Sequence, residues 1–338
     1  METGASFSAG HQAMFVGSSG RWAGEQWLRA AAAGEPLSPS ALRQNAVLRR
    51  DEWIFFDEEL VTGAQQRLRG VADLLGANLL RRIPNGMAKT ILEYEMVGDM
   101  EAATVSLDGI TRSEMGRVEV SPGFLPLPIT HKDFYINLRA LQASRSRGEP
   151  LDTTHINAAG RKCAELTEEM LFTGGKQFGG YRIYGYTTHP ARHIVTFGAG
   201  GAWHLAGKTG DQMLADVNLM IAALQSDSMF GPYWLYVPGD ASQALGGDFK
   251  AASDKPIRTR LLELEGLEKI TVADKLPSGN LVLVQATKNV VQMVEGEPLQ
   301  TVQWDVDGGF RIDFKAFQIL LPLIRADSQG NSGVAHMA

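Results

Sequence analysis

The chain has 338 residues, of which 44% are hydrophobic and 21% charged, and this predicts a globular protein with a sizeable core in one or two domains. Its single cysteine, Cys163, excludes a disulfide within the chain and favours a reducing compartment. The formal net charge of −6 argues against a broad basic face for nucleic-acid binding. No apolar run approaches the ~18 residues of a membrane span, and no secretory signal is predicted.

The first part of the chain predicts an arm followed by helices. Residues 1–37 are rich in Gly, Ala and Ser, which is typical either of an arm that orders on a partner surface or of a flexible tail. Ser38-Pro39 predicts the start of a helix that runs toward Arg50. A second helical pattern ends near Pro84-Asn85-Gly86. Its predicted core residues are Trp53, Phe56, Leu60, Leu68, Val71 and Leu75.

From Thr90 the hydrophobic period changes to two, which predicts strands. Leu92, Tyr94 and Met96 point to one face, and Asp108-Gly109 is a strong turn signal. Together they predict a long two-stranded ribbon over residues 90–130. Such a ribbon has little core of its own, so it needs another molecule to pack on. The alternative is a hairpin folded back on the chain's own sheet.

Residues 152–172 predict a long amphipathic helix, which we call the spine helix. Its apolar stripe consists of Ile156, Ala159, Cys163, Leu166 and Met170. Asp152 and Thr153 are N-cap candidates, and Gly174-Gly175 ends the helix. Arg161 and Glu165 are spaced for an ion pair, and Glu168 with Glu169 is assigned to the solvated face.

The remainder mixes helices and strands. Asp211–Gln225 and a short segment near Ile257–Leu264 predict helices. Strands are predicted around Tyr233–Val237, Ile270–Val272, Leu281–Val284, Val290–Val294, Val302–Trp304 and Phe310–Phe314. Residues 326–338 are polar and predicted to be loose. The elements follow no repeating βαβ rhythm, so the predicted fold class is α+β.

Sequence motifs of enzymes are absent. The chain has no phosphate loop, no HExxH, no paired CxxC and no GxSxG. Gly174-Gly175-Lys176 and Gly198–Gly201 match nucleotide-binding patterns incompletely and are interpreted as turns. A metal site could use His189, His193 and His204, but Pro190 separates the first pair and no carboxylate or thiol completes a set. We therefore predict no catalytic, cofactor-binding or metal-binding residues and no cofactor.

Several segments together resemble the major capsid proteins of tailed phages, of the Hong Kong 97 type, in the subgroup that resembles encapsulin shell proteins. The similarity covers about residues 49–325 and rests on the order and character of its segments. They are LRRDEWIFFDEELVTGAQQRLRGVADLL, LPLPITHKDFYINLRALQASRSRGEPLDTT, the spine helix with LFTGG, FGGYRIYGYTTHP, GPYWLYVPGD and FRIDFKAFQILLPL.

The resemblance implies a division of the chain into parts. They are an N-terminal arm at 1–48, a peripheral domain at 49–89, 131–208 and 300–325 with the spine helix 152–172, an extended loop at 90–130, an axial domain at 209–299 and a C-terminal tail at 326–338. The extended loop would lie over a neighbouring subunit, and the axial loops would meet at five-fold and six-fold axes. No lysine lies between Lys89 and Lys132, so covalent crosslinking through the loop, known in some relatives, is not expected.

The resemblance also implies a function. The chain is expected to be a structural protein and not an enzyme, assembling through pentamers and hexamers into the icosahedral, dsDNA-filled head of a tailed phage. Candidate partners are a portal, separate scaffolding or decoration proteins, and non-specifically contacted DNA, with no membrane involved. The expected location is the virion, after assembly in the host bacterial cytoplasm. The alternatives are an encapsulin-type shell that encloses a cargo enzyme and, more remotely, a soluble metal-dependent hydrolase.

Overall fold

The computed structural model describes residues 58–62, 64, 69–98, 118–147, 154–205, 207–250, 255–307 and 310–338, with positions 103, 105 and 107 between them. Residues 58–62 are helical. The later helices are α1 (Gly70–Gly76), α2 (Leu138–Arg147), α3 (Thr154–Thr173), α4 (Gly210–Ser226) and α5 (Ile257–Leu262). The first seven strands are β1 (Leu80–Arg82), β2 (Ile91–Val97), β3 (Val120–Pro126), β4 (Thr130–Asn137), β5 (Gln177–Phe178), β6 (Tyr181–Arg182) and β7 (His193–Val195). The others are β8 (Tyr233–Pro238), β9 (Leu267–Ala273), β10 (Leu281–Gln285), β11 (Val291–Val306), β12 (Arg311–Ile324) and β13 (Val334–Met337).

A four-stranded sheet, in the order β1-β11-β12-β4, forms one part of the body. Its centre is the long antiparallel pair β11 and β12, with register shifts near Glu297. One face of the sheet is covered by α3, and Phe314, Ile312 and Ile156 are buried between them. The amphipathic pattern of the spine helix thus finds its partner in the alternating apolar residues of β12.

A five-stranded sheet, in the order β7-β13-β10-β8-β9, forms the second part. One face packs against α4 and α5, where Met213, Val217 and Leu224 fill a core. The capping box that starts α4, between Thr209 and Gln212, explains why this helix begins where it does. The other face shares a core with α1, the end of α3 and the β11–β12 pair. This shared core joins the two sheets.

Much of the predicted helix and strand content is confirmed. The spine helix occupies Thr154–Thr173, α4 occupies Gly210–Ser226, and the base of the ribbon is the antiparallel pair β2 and β3. The mixture of helices with mostly antiparallel sheets confirms the α+β class. The predicted helix toward Arg50, the N-cap candidates of the spine helix and the turn at Asp108-Gly109 lie outside the described residues.

Three predictions of local structure are wrong. The second helical pattern does not continue to Pro84, because α1 ends at Gly76 and Leu80–Arg82 forms a strand beside β11. In α1 it is Leu74, and not Leu75, that enters the core. The final residues are not loose either, because β13 lies between β7 and β10 with all four of its residues buried. Each strand forms by pairing with distant residues, which no local pattern reports.

Two further strand boundaries differ from the prediction. The separate strands expected at Val290–Val294 and Val302–Trp304 are one continuous strand, β11, that is interrupted only by bulges. Phe134, Ile136 and Leu138 alternate along the sequence as in a strand, but β4 ends at Asn137 and Leu138 is the first residue of α2. In both cases the alternation of apolar residues is real, and only the end points differ.

Candidate assembly surfaces

The β2–β3 ribbon is anchored to the body by one face. Its register runs from Ile91 opposite Pro126 to Val97 opposite Val120. Leu92 and Leu125 are buried in a core with residues of α3, β11 and β12. The Tyr94 ring lies over Gly123, where a Cβ would come within 2.4 Å of Cζ, so the glycine makes room for this ring. The inner face therefore fixes the base of the ribbon.

The opposite face of the ribbon presents exposed apolar side chains beside Glu93 and Glu95, and the described residues leave it uncovered. Ile91, Val97, Val120 and Phe124, which we call the outer ribbon face, each leave between 38% and 55% of their surface exposed. Phe124 lies 5.0 Å from the ring of Tyr181, so the small β5–β6 hairpin borders this surface. Contiguous exposed apolar side chains of this kind mark an interaction surface.

The outer face of the four-stranded sheet combines aromatic and charged groups. Tyr135 and Trp304 lie on either side of Asp313 across three strands. The Arg311 guanidinium lies 5.4 Å from the Tyr135 ring centroid and pairs with Asp313 at 2.7 Å. Lys315 lies 5.9 Å from the Trp304 ring. Aromatic rings and arginine are enriched in protein interfaces, so this is a second candidate surface.

Glu168 of α3 is buried, which contradicts its assignment to a solvated face. Its Oε1 accepts a hydrogen bond from the Gly70 amide at 2.7 Å and its Oε2 accepts one from the Val71 amide at 3.1 Å. Burial raises the pKa of the carboxyl, and these backbone donors oppose the shift. Arg69 supplies no side-chain cap to α1, so the carboxylate of a distant helix caps it. The predicted stripe is wrong at Leu166, which is exposed, whereas Thr167 is buried.

A buried ion pair holds the loop that precedes α4. Lys208 Nζ lies 2.7 Å from Asp216 Oδ2, and both side chains are 1% exposed. Lys208 also donates to the carbonyl oxygens of Ala199 and Gly201, and Asp216 accepts from the indole of Trp203 at 2.8 Å. Every charge in this network is paired and hydrogen-bonded, the condition under which a buried ion pair is tolerated. The network gives the loop a fixed path.

A family model described as a family of unknown function, DUF6260, matches residues 43–337. The chain belongs to this family. The curated relatives of this DUF6260 protein include the type 1 encapsulin shell protein EncA of Myxococcus xanthus strain DK1622. The two are 26% identical over 188 residues, which are 55% of this chain and 59% of that protein. The match thus spans about three fifths of the relative's length.

Solved structures show which fold the DUF6260 protein has. The virus-like particle from Pyrococcus furiosus matches with a TM-score of 0.60 and 16% identity, covering 84% of this chain and 98% of that one. The capsid of Myoviridae phage XM1 matches with a TM-score of 0.55 and 12% identity, covering 74% of this chain and 85% of that one. The capsid of a native GTA particle matches with a TM-score of 0.54 and 13% identity, covering 76% of this chain and 86% of that one. The fold is the Hong Kong 97-type capsid fold, as the sequence resemblance predicted.

The three histidines considered for a metal site lie in different surroundings in this DUF6260 protein. His189 is buried, and burial together with Arg192 lowers its pKa to about 4. His193 Nε2 lies 2.6 Å from Asp227 Oδ2, and His204 Nδ1 lies 3.6 Å from Asp240. Within the described part of the chain, no group of three or more His, Cys, Asp or Glu side chains is placed to hold a metal ion.

The two glycine-rich segments are turns. Gly174, with a φ of +85°, follows α3, and its amide donates to the Met170 carbonyl at 3.0 Å. Gly200 and Gly201 also have positive φ, and the Gly201 amide closes a turn on Gly198. Among the helices that the structure describes, none is long and apolar enough to span a membrane.

Sequence reasoning missed the polar contacts that hold the described surfaces in place. Glu168 shares its helix turn with exposed Glu169, and only the position of Gly70 across the fold shows which of them is buried. Lys208 precedes α4 and lies eight positions before Asp216, whereas contacting pairs on a helix are three or four positions apart, so no local pattern pairs them. The period-two alternation predicted the face with Leu92, Tyr94 and Met96, and the structure packs Leu92 of that face against the chain's own body. The exposed apolar residues of the outer ribbon face were not predicted.

Proposed function

We propose that this protein is the subunit of a closed icosahedral shell, which it builds by self-assembly as a structural protein and not as an enzyme. The observation that carries the proposal is the outer ribbon face, which projects from a Hong Kong 97-type body and has no cover within the described chain. A ribbon of two strands is marginal without packing, so covering this face by a neighbouring copy would stabilise both.

The domain roles follow from the same proposal. Residues 90–130 would be the extended loop, and the body with α3 would be the peripheral domain. The five-stranded sheet draws β7 and β13 from outside residues 209–299, so we assign those two strands to the axial part as well. The arm at 1–48 would run toward other subunits.

For the content of the shell, our first candidate is the dsDNA of a tailed phage. The acidic net charge of −6 is compatible with a container that encloses DNA without specific base contacts. Its portal, scaffolding and decoration partners would belong to the same assembly, in the virion formed in the host cytoplasm. The second candidate is an encapsulin-type compartment with a cargo enzyme, and the similarity to the shell protein EncA favours it.

The test is negative-stain electron microscopy of the full chain, expressed alone and separated by size. Closed shells are the expected result. Nuclease treatment followed by extraction then separates the candidates, since protected DNA of genome length supports the phage head and an enclosed protein without DNA supports the encapsulin. If the chain remains a monomer, both alone and when co-expressed with the genes that flank its own, the proposal is wrong.

A further inference from the structure

A cavity of about 530 Å³ lies where the ribbon leaves the body. One wall is the end of β2, with Glu95, Met96 and Val97. The remaining lining residues come from the body. They are Met229, Gln285, Thr287, Asn289, Val290, Arg325, Ala326, Asp327 and Asn331.

Arg325 is the cation among the lining residues, and no carboxylate of the described residues is paired with its charge. Its guanidinium lies 5.8 Å from the Tyr94 ring centroid, and its Nη2 donates to Gln292 Oε1 at 3.3 Å. Its Nε is buried and has no acceptor among the described residues. Burial and the nearby Arg81 lower the pKa of Arg325, and Tyr94 opposes the shift. A guanidinium remains charged in proteins, so among the described residues its opposite charge is missing.

The two carboxylates in the lining do not supply that charge. Asp327 is occupied by its own loop, where it accepts hydrogen bonds from the amides of Gln329 and Asn331 and from the Asn331 side chain. Glu95 lies on the same exposed face of β2 as Val97, and among the described residues it forms no ion pair with Arg325. Gln285 donates to the Gly231 carbonyl, and its Oε1 is buried without a donor among the described residues. The lining therefore offers both a donor and an acceptor that lack partners.

We propose that this cavity receives an acidic side chain from a second copy of this chain, with Arg325 as the group that binds its carboxylate. The inference rests on the proposed function and adds to it a specific intersubunit contact. Guanidinium and carboxylate pair through two parallel hydrogen bonds, which fixes the geometry as well as supplying energy. An interfacial pair at this position would fix the angle at which the ribbon leaves the body.

Three observations favour a second copy as the occupant. The cavity is larger than a single carboxylate needs, so the carboxylate arrives on a segment of chain. The chain has 38 acidic against 32 basic residues, so its copies offer complementary charge to an unbalanced arginine. Val97 belongs to both the cavity and the outer ribbon face, so the two surfaces are continuous.

The experiment is photo-crosslinking in assembled particles. Benzoylphenylalanine replaces Asn289, an exposed lining residue, and irradiated particles are separated under denaturing conditions and analysed by mass spectrometry. The expected product is a chain-to-chain crosslink to a segment that contains Asp or Glu. Particles that form without such a crosslink, or that crosslink only to a segment lacking acidic residues or to a small molecule, would overturn the inference.

Two arginine variants measure the role of the charge. In the crosslinking background, Arg325→Gln should reduce the yield at least fivefold, and Arg325→Lys should reduce it less because the charge remains. The control is Arg161→Gln, an exposed arginine of α3 paired with Glu165, which should leave the yield unchanged. An unchanged yield in Arg325→Gln contradicts the inference. Absence of particles from the chain with native Arg325, both alone and when co-expressed with the flanking genes, would instead contradict the proposed function itself.

Discussion

Glu168 shows how one buried carboxylate joins two helices that are far apart in the sequence. It accepts from two amides at the start of α1 while its own backbone belongs to α3. Glu168→Ala would leave both amides buried without acceptors. The cost of such groups is about 1–3 kcal/mol, and more where the lost acceptor is charged.

We expect the free energy of unfolding to fall by about 2–3 kcal/mol in Glu168→Ala, because two donors lose a charged acceptor. Urea denaturation, monitored by tryptophan fluorescence, measures this free energy of unfolding. The matched control is Glu169→Ala, the exposed neighbour, which should change stability by less than about 0.5 kcal/mol. Equal effects of the two substitutions would contradict the capping role.

His336 makes stability depend on pH. Its Nδ1 accepts from Arg192 Nε at 3.3 Å, and its Nε2 lies 2.7 Å from Asn280 Oδ1. These contacts suit the neutral ring, because protonation at Nδ1 would remove an acceptor and place a second positive charge beside Arg192. Burial first, and Arg192 second, lower the pKa of His336 to about 4.

His336 therefore remains neutral in the folded state at a pH near 6.5, where the same side chain binds a proton in the unfolded chain. Between pH 6.5 and 4 the unfolded state binds more protons than the folded state. The stability that neutral His336 contributes is therefore complete above pH 6.5 and is lost as the pH falls toward 4. We expect wild type to lose about 1–3 kcal/mol more than His336→Gln over this window. Thermal unfolding measured at half-unit pH steps checks it, and parallel curves for the two proteins would contradict it.

At the scale of elements, the ribbon separates folding from association. The outer positions Val97 and Val120 are opposite each other and exposed, whereas Leu92 and Leu125 are buried. Threonine is nearly isosteric with valine and keeps its preference for strands. The substitution therefore removes apolar surface from the outer face and leaves the inner core intact.

We expect the double variant Val97→Thr, Val120→Thr to unfold within about 0.5 kcal/mol of wild type. Burying a valine contributes about 1.5 kcal/mol, so losing two buried valines weakens each intersubunit contact by up to about 3 kcal/mol. This corresponds to roughly a hundredfold loss of affinity. Sedimentation of assembly reactions across a range of protein concentrations measures the loss. Ile194→Thr, on the exposed edge strand β7, is the control and should assemble normally. If the double variant assembles like wild type, the outer ribbon face is not part of the interface.

The same scale shows why some elements could be predicted and others could not. The spine helix and α4 carry long 3.6-residue patterns, and the ribbon base carries clear alternation, so the sequence alone indicates each of them. β1 has three residues and β13 has four, and both pair with residues at least 50 positions away in the sequence. Arg325 follows the apolar run of β12 and looks like an ordinary strand end. Only the folded structure shows that Tyr94 and Gln292 surround it and that no described carboxylate pairs with it.

At the scale of the whole molecule, the two sheets share a core, so the body can act as one unit on which the ribbon is mounted. Each copy has a formal charge of −6, and assembly brings many such copies together. Like charges oppose this association over a distance set by the salt concentration, about 30 Å at 0.01 M and about 10 Å at 0.1 M. Contacts between apolar faces do not depend on the salt concentration in this way. A partly buried ion pair at Arg325 is screened less by salt than exposed charges are.

We therefore expect assembly to increase as sodium chloride is raised from about 0.01 M to about 0.1 M, measured by light scattering at fixed protein concentration. The exposed Glu93 and Glu95 are the acidic members of the ribbon's outward side, so the variant Glu93→Gln, Glu95→Gln should assemble at lower salt than wild type. Removing two of the surplus negative charges where subunits meet lowers the repulsion that salt otherwise screens. Dissociation of shells over the same range would mean instead that exposed ion pairs between subunits, and not apolar contacts, dominate the association.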